Sequence, residues 1–479
     1  MVAGQTVLLK GVTIISSILL ARILGPEQFG LWAIVTATSG IVWIVAELGL
    51  GASVIPLIAE ARGNQGRIAR VQATAFLLAM GLGGAIIAGY VASTPLLATS
   101  LYSVPGALPL FLLVAGSMVM NLAPGMFVAF LQAKRQIRIL AIGGFVLGAA
   151  NAVGLVAGAA LAGLFGALLV SFFLNAAACV AFLLLLPRDR GTLRLANVDR
   201  AVARNLFGLG LPTVAWGLLA VLSGWVALTL MSLTGGNDPV GQYSVAWRAA
   251  AFIGVPSMAV FVVLFPAAGE TFQSDPALFR RIFRQTMRYM ILGIVPLSLG
   301  FALLSPEIVP LLYGPSYGDA PRLLAMLASG GFLAAMVNLG NMLFYVDRSM
   351  LRGTVLVATA TAAQIIAAAL LIPRYGVAGL AASTLVYQFV MVALLPRFLK
   401  DAGARSEVAR AFAWSLAAAV LLFGAGTFAF PFSMAARAIA YGAFLAIYGW
   451  LALAFVIKEA DREFLRGLLR GVRRRLRLG

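Results

Sequence analysis

The side chains that could do chemistry in this chain are few. There is no histidine, and a single cysteine, Cys179, lies inside an apolar run. These counts exclude histidine general-base catalysis, disulfides within the chain, zinc or haem sites that use histidine, and multi-cysteine clusters. We expect no metal site and no cofactor, and we interpret Cys179 as a small core residue. What remains is a small set of charged, amide and aromatic side chains within long apolar segments.

Glu47 is the most deeply placed acidic residue. It lies about 25 Å from one end of the apolar run 30–59 and about 18 Å from the other, if that run is a helix. Gly49 and Pro56 follow it, and a proline inside a helix tends to kink it. A carboxylate beside a deformable segment could couple proton or cation movement to a change of shape. An ion pair or hydrogen bond to a neighbouring helix is the equal alternative, so Glu47 and Pro56 are coupling or gating candidates.

Basic side chains are the candidate anion ligands. Arg248 lies about five residues, or about 8 Å, into run 243–267, where it could hold a pyrophosphate group bidentately. At that depth it could instead extend to the membrane surface. Arg22 and Glu27 flank the first predicted outside turn, Arg22 as a phosphate contact or gate and Glu27 as a gating candidate. Lys10, near the predicted inside face, could meet an incoming anion or extend to that surface.

Amide and aromatic side chains within the apolar runs could meet a sugar. Asn121, Asn338 and Asn341 are candidates for hydrogen bonds to hydroxyl groups, and Trp43 could stack on a sugar face. For each amide taken singly, a hydrogen bond between helices is the better expectation.

Composition identifies the elements that must position these residues. Of 479 residues, 62% are hydrophobic and 11% are charged, and the mean hydropathy is +1.00. Soluble domains are about 45–50% apolar and about 25% charged, so the chain is predicted to be an all-α polytopic membrane protein. About fourteen apolar runs reach the length of a transmembrane helix. They are 6–24, 30–59, 71–92, 108–131, 139–162, 166–186, 206–233, 243–267, 289–312, 323–346, 353–372, 377–396, 411–430 and 438–457.

The basic residues predict the orientation. With the N-terminus inside, most of the 35 Lys and Arg residues fall on the inside, in agreement with the positive-inside rule. The exceptions outside are Arg22, Arg322, Arg374 and Arg437. The formal charge of +19 is therefore a topology signal, both termini are predicted to be cytoplasmic, and no nucleic-acid partner is expected. All predicted outside connections are short, and the longest is about 93–107.

An internal repeat is visible at an offset of about 211 residues. Gly30 matches Gly241, and Tyr102 matches Tyr313, at that same offset. Six helices per repeat make the two copies parallel. The predicted domains are an N-terminal lobe 1–186, an inside linker 187–205, a C-terminal lobe 206–396, two extra helices 397–457, and a basic amphipathic tail 458–479 on the inner leaflet.

Several motifs carry a family resemblance. They are ARILGPEQFGLW at 21–32, AELGLG at 46–51, VGQYSVA at 240–246, LLYGPSY at 311–317 and LIPRYGVAG at 371–379. The chain resembles the Wzx-type polysaccharide flippases of the multidrug/oligosaccharidyl-lipid/polysaccharide exporter superfamily. The resemblance implies two six-helix lobes around a cavity and transport by alternating access, without catalysis. The implied cargo is a polyprenyl-pyrophosphate-linked oligosaccharide for O-antigen or exopolysaccharide synthesis in the bacterial inner membrane, with membrane lipids and a glycan polymerase or co-polymerase as partners.

Four alternatives stay open. A lipid II flippase and a drug/cation antiporter share the implied fold, although drug antiport usually needs acidic cavity residues, and Glu47 is nearly alone. A membrane-embedded glycan polymerase or ligase would handle related lipids, but such enzymes generally need acidic or histidine groups and sizeable outside loops. A scaffold of a polysaccharide synthesis complex is the fourth.

Overall fold

The computed structural model describes residues 2–102, 104–185, 194–257, 275–346, 349–399, 402–429 and 431–451. All regular secondary structure in these ranges is helical. Eleven helical segments within them are long and apolar enough to cross a membrane. The predicted fold class, an all-α polytopic membrane protein, is confirmed.

The N-terminal half, by which we mean residues 2–185, is built from long helices joined by short turns. Its helices are α1 (Val2–Glu47), α2 (Leu50–Glu60), α3 (Gln65–Leu78), α4 (Gly84–Leu96), α5 (Leu108–Ala133) and α6 (Ile137–Leu185). Two π-helical segments, Ala79–Gly83 and Leu97–Leu101, precede and follow α4.

The C-terminal half, by which we mean residues 194–451, is also built from helices. Its helices are α7 (Arg200–Gly235), α8 (Asn237–Ala251), α9 (Pro276–Leu303), α10 (Ser305–Tyr313), α11 (Ala320–Val346), α12 (Met350–Tyr375), α13 (Val377–Phe398), α14 (Ala402–Ala429) and α15 (Met434–Leu451). The predicted tail 458–479 lies outside the described residues.

Some predicted runs join into longer helices. α6 carries both 139–162 and 166–186, bent at Ala162 and Gly163, and α1 carries the first run and most of the second. The outside connection predicted at about 93–107 is mostly helical. Its residues 96–101 are largely apolar and satisfy their backbone groups through helical hydrogen bonds, so the break comes only after Leu101.

Two breaks interrupt the helices that carry the first two apolar runs. At Gly25 the backbone has φ 70° and ψ 174°, which glycine adopts without a steric penalty, and Pro26 starts the next helical segment. The second break lies directly after Glu47, where Leu48 and Gly49 have φ values of 54° and 65°. Run 30–59 is therefore two helices, and α2 passes through Pro56 without ending there.

The largest apolar core joins the two halves. It contains residues of α1, α4, α5 and α6 together with residues of α7, α8, α10, α11 and α13. A second core lies within the C-terminal half and includes residues of α14, so that this extra helix packs against α9 and α11. The shared core lies at the end of the molecule that contains Gly25, the turn after α7 and the α12–α13 turn.

Candidate functional site

The two halves touch backbone to backbone where α1 crosses α8. A Cβ atom built on Gly30 would lie 2.8 Å from the backbone nitrogen of Gly241 and overlap the Asn237 carbonyl oxygen. A Cβ atom on Gly241 would lie 3.0 Å from Cα of Pro26 and overlap the Pro26 carbonyl oxygen. The offset of 211 residues relates both pairs, Pro26 with Asn237 and Gly30 with Gly241, so the crossing has approximate two-fold symmetry.

Arg248 lies in this interface and contacts aromatic rings of the other half. Its guanidinium carbon is 4.6 Å from the ring centroid of Trp32 and 5.6 Å from that of Phe29. The two rings lie 5.1 Å apart, and Phe29 is fully buried. Cation–π contacts contribute about 0.5–1 kcal/mol when exposed and about 2 kcal/mol when desolvated.

The depth predicted for Arg248 needs correction. α8 begins at Asn237, six residues before the apolar run, so Arg248 lies about 16 Å along the helix instead of about 8 Å. The hydropathy pattern missed this start because the first turns of α8 are polar. The side chain of Arg248 is half-buried at this point, against the rings of Trp32 and Phe29.

A tyrosine of the C-terminal half also contacts α1 at this end of the interface. The hydroxyl of Tyr317, whose side chain is 1% exposed, donates a hydrogen bond of 2.7 Å to the carbonyl oxygen of Ala21. Burial raises the pKa of Tyr317, and the neighbouring carboxylate of Asp238 raises it further, so the hydroxyl remains a donor at neutral pH. Arg22 is exposed and its Cγ lies close to Gly314, in the turn that carries Tyr317.

A chain of neutral hydrogen bonds also crosses the interface. The indole N–H of Trp225 donates to Thr38 Oγ1 at 3.0 Å. The Tyr102 hydroxyl lies 2.9 Å from Thr38 Oγ1 and 3.2 Å from Thr229 Oγ1. Thr38 and Tyr102 belong to the N-terminal half, whereas Trp225 and Thr229 belong to α7. The two halves are therefore held by polar contacts at several positions beside the glycine crossing.

Glu47 lies at the opposite part of α1, about 27 Å along the helix from Phe29. It is half-buried, and its Oε1 lies 2.7 Å from the position that a Cβ atom of Gly51 would occupy. The break that follows it packs on α7, because Gly210 would place a Cβ atom 2.6 Å from the Leu48 carbonyl oxygen. A left-handed leucine costs of order 1 kcal/mol and persists where its surroundings hold it.

The remaining sequence candidates are scattered. Asn121 donates to the Ser117 carbonyl oxygen at 2.9 Å within α5, and Trp43 packs against the shared core. Asn338 is exposed on α11, and the buried Oδ1 of Asn341 has no hydrogen-bond partner among the described residues. Glu27 and Pro56 are exposed. The side chain of Lys10 lies outside what the structure describes.

The structure therefore brings Arg248 and Arg22 to one end of the interface and leaves Glu47 at another contact. Sequence reasoning missed Phe29, Tyr317 and Thr38 as members of this interface. Two signals were available: the repeated tyrosine at 102 and 313, and the motifs at 21–32 and 311–317, which contain Phe29 and Tyr317. Within the described residues, no three His, Cys, Asp or Glu side chains form a group suited to a metal ion.

The fold and the interface define a class: a polytopic helical membrane protein whose two halves meet at a helix crossing. The fold is similar to that of the lipid II flippase MurJ in an inward closed conformation, with a TM-score of 0.70, 13% identity, and coverage of 95% of this chain and 99% of that chain. It is also similar to an inward-facing multidrug resistance MATE family transporter of the MOP superfamily, with a TM-score of 0.65, 16% identity, and coverage of 86% and 94%.

The family follows from the sequence. The polysaccharide biosynthesis protein family matches residues 19–322, which is more than half of the chain, so the chain belongs to this family. The family match and the shared fold confirm the resemblance that the motifs indicated. The uncharacterized membrane protein MJ1068 of Methanocaldococcus jannaschii is 25% identical over 197 residues, 40% of this chain and 38% of that relative's length.

Proposed function

We propose that this protein is a flippase that moves polyprenyl-pyrophosphate-linked oligosaccharide units across the bacterial inner membrane, for surface or exopolysaccharide synthesis. Membership of the polysaccharide biosynthesis family supports a role in glycan assembly. The fold that it shares with a protein named as a lipid II flippase supports a lipid-linked cargo. The protein would make and break no covalent bond, and it would deliver its cargo to a glycan polymerase or co-polymerase.

The observation that carries this proposal is the position of Arg248. Its guanidinium lies between the halves against two aromatic rings, and within the described residues no carboxylate pairs with it. An aromatic partner attracts the cation but accepts none of its N–H groups as a carboxylate would. When the halves separate, those donors are free to bind a pyrophosphate bidentately.

The proposed transport cycle follows from the predicted topology. The α1–α8 crossing lies at the end that is poor in basic residues, which the positive-inside rule assigns to the outside. On this orientation the structure would correspond to a state closed to the outside. Lobes 1–186 and 206–396 would rock about the crossing, with both termini in the cytoplasm. Arg22 and Lys10 would contact the anion near the two faces, and Asn338, Asn341 and Trp43 would contact the sugars.

Glu47 is our candidate for coupling to a proton or cation. Glu47 is the last residue of α1 and directly precedes the strained backbone break at Leu48 and Gly49. This break packs on α7 of the other half. A change in the charge of Glu47 would therefore act on a contact between the halves.

The test is an accessibility assay in the host. The gene is deleted, and lipid-linked oligosaccharide is detected on intact spheroplasts with a membrane-impermeant probe for the sugar. We expect the glycan to accumulate in the inner leaflet, and wild type but not Arg248→Ala to restore its outward appearance. Arg374→Ala is the matched control, because Arg374 is exposed at the same end and lies outside the α1–α8 crossing.

The outcomes separate the alternatives. Normal outward appearance in the deletion strain, with a defect only in polymerisation or attachment, would replace the flippase by a polymerase, ligase or scaffold. Inner-leaflet accumulation of lipid II alone would identify a lipid II flippase. Normal glycan export combined with increased drug sensitivity would identify an antiporter. Full activity of Arg248→Ala at normal expression would remove this arginine from the cargo path.

A further inference from the structure

A cavity of about 380 Å³ lies away from the interface between the halves, where the extra helix α14 meets α11 and the α12–α13 turn. Its wall is formed by the start of α11, the α12–α13 turn and the end of α14. The residues that line it include Arg322, Met326, Tyr375, Ala378 and Thr427. No part of this cavity belongs to the site described above.

Packing fixes the walls of the cavity. A Cβ atom on Gly426 would lie 3.0 Å from Ala302 Cβ and 3.2 Å from the Ala325 carbonyl oxygen, so α14 touches α9 and α11 closely at the cavity floor. Beyond this point α14 ends, and α15 is held by a buried ion pair between Arg437 and Glu307. The helices on both sides of the cavity are therefore held in place by packing and by this ion pair.

Arg322 is the charged side chain among the residues that line the cavity. Arg322 is the third residue of α11 and is exposed, and none of the carboxylates in the described residues pairs with it. By contrast Arg437, at the same end, has Glu307 as a partner. What distinguishes Arg322 from the exposed Arg22 and Arg374 at this end is that it lines the cavity, where its guanidinium can donate to an anionic group.

The depth and polarity of the cavity match a phospholipid. Arg322 starts one membrane span and Tyr375 ends another, so both lie at the level of the lipid headgroups, where tyrosine is enriched. Below them the lining is apolar, with Met326 and Ala378. A phosphate on Arg322 would place the glycerol and first acyl carbons over this floor. The lining has no acidic side chain to pair with an ammonium headgroup, which favours a lipid of net negative charge.

We propose that this cavity binds the headgroup of an anionic phospholipid. Arg322 holds the phosphate, and the apolar floor holds the start of the acyl chains. The lipid fills the gap between α14, α11 and the α12–α13 turn, and so joins the extra helix to the helices beside it. The site is separate from the α1–α8 interface, so it stands whether or not the protein is a flippase.

The test measures lipid binding to the purified, delipidated full-length protein by native mass spectrometry and thermal shift. Short-chain phosphatidylglycerol and phosphatidylcholine are compared, with glycerol phosphate and inorganic phosphate as soluble anions. We expect phosphatidylglycerol to bind preferentially. Arg322→Ala should weaken it about tenfold, as loss of a charge-assisted hydrogen bond does. Ala378→Leu, which fills the floor and keeps the charge, should weaken it as well.

Arg374→Ala is the matched control, because Arg374 is exposed next to Tyr375 but does not line the cavity. It should bind phosphatidylglycerol as wild type does. The proposal is overturned if Arg322→Ala binds as wild type, or if Arg374→Ala loses as much as Arg322→Ala. It is also overturned if a soluble anion gives the full effect or if phosphatidylcholine binds equally well.

Discussion

The glycine crossing of α1 and α8 should decide whether the protein can close at this end. In Gly30→Ala the new Cβ would lie 2.8 Å from the Gly241 nitrogen and overlap the Asn237 carbonyl oxygen. Ordinary contacts begin near 3.4 Å, and the atoms in the way are backbone, so no side chain can turn aside. The helices must move apart by more than about 0.6 Å. Overpacking of this kind costs about 1–3 kcal/mol, and we expect the upper end.

On the proposed function, the halves open and close at this end, and a penalty of about 3 kcal/mol would shift that equilibrium by about two orders of magnitude. Spin labels measure the shift directly. Cysteines replace Ser100 in the N-terminal half and Arg374 in the C-terminal half, both exposed at this end, in a Cys179→Ala background. In Gly30→Ala, the distances between the two labels, measured by pulsed electron–electron double resonance, should become longer and more broadly distributed.

Gly40→Ala is the control, since Gly40 lies in the same helix and a Cβ atom there meets nothing within 4 Å. It should keep the wild-type distances. Gly241→Ala should behave like Gly30→Ala, and the double variant should add little, because both changes strain one contact. An unchanged distance distribution in a folded Gly30→Ala protein would refute the reasoning about this crossing.

Three further predictions concern single polar contacts. Tyr317→Phe removes the hydrogen bond to the Ala21 carbonyl, worth about 1 kcal/mol, and should raise the open fraction about fivefold in the same spin-label assay without lowering the yield. Glu307→Gln weakens the buried pair with Arg437 and should lower stability by about 1–3 kcal/mol, measured as a lower Tm, with transport retained at low temperature; an unchanged Tm would contradict this. Glu47→Gln should express normally but lose the ion dependence of transport; activity with unchanged ion dependence would end the coupling hypothesis.

Much of the fold was predictable because apolar runs of membrane length have few alternatives to helices. The offset between Gly30 and Gly241 was also visible, and it returns in the structure as a shared contact. The start of α8 was not predictable from hydropathy, because Asn237 and Asp238 are polar but helical. Which rings would meet Arg248 depends on how two helices distant in sequence cross, and no local pattern encodes that.

The crossing is approximately symmetric, but the polar contacts around it are not. The hydroxyl of Tyr102 forms a hydrogen bond across the interface with Thr229. Its repeat counterpart Tyr313 packs on Tyr317 instead, and it is Tyr317 that donates a hydrogen bond across the interface, to the Ala21 carbonyl oxygen. On this second side the interface also contains a cation, Arg248, whose guanidinium lies over the rings of Phe29 and Trp32. An anion gains most at Arg248, because there it adds an attraction between full charges that the rings lack, whereas the groups around Tyr102 are neutral. On the proposed function, a pyrophosphate cargo would therefore weaken closure mainly on the side of Arg248.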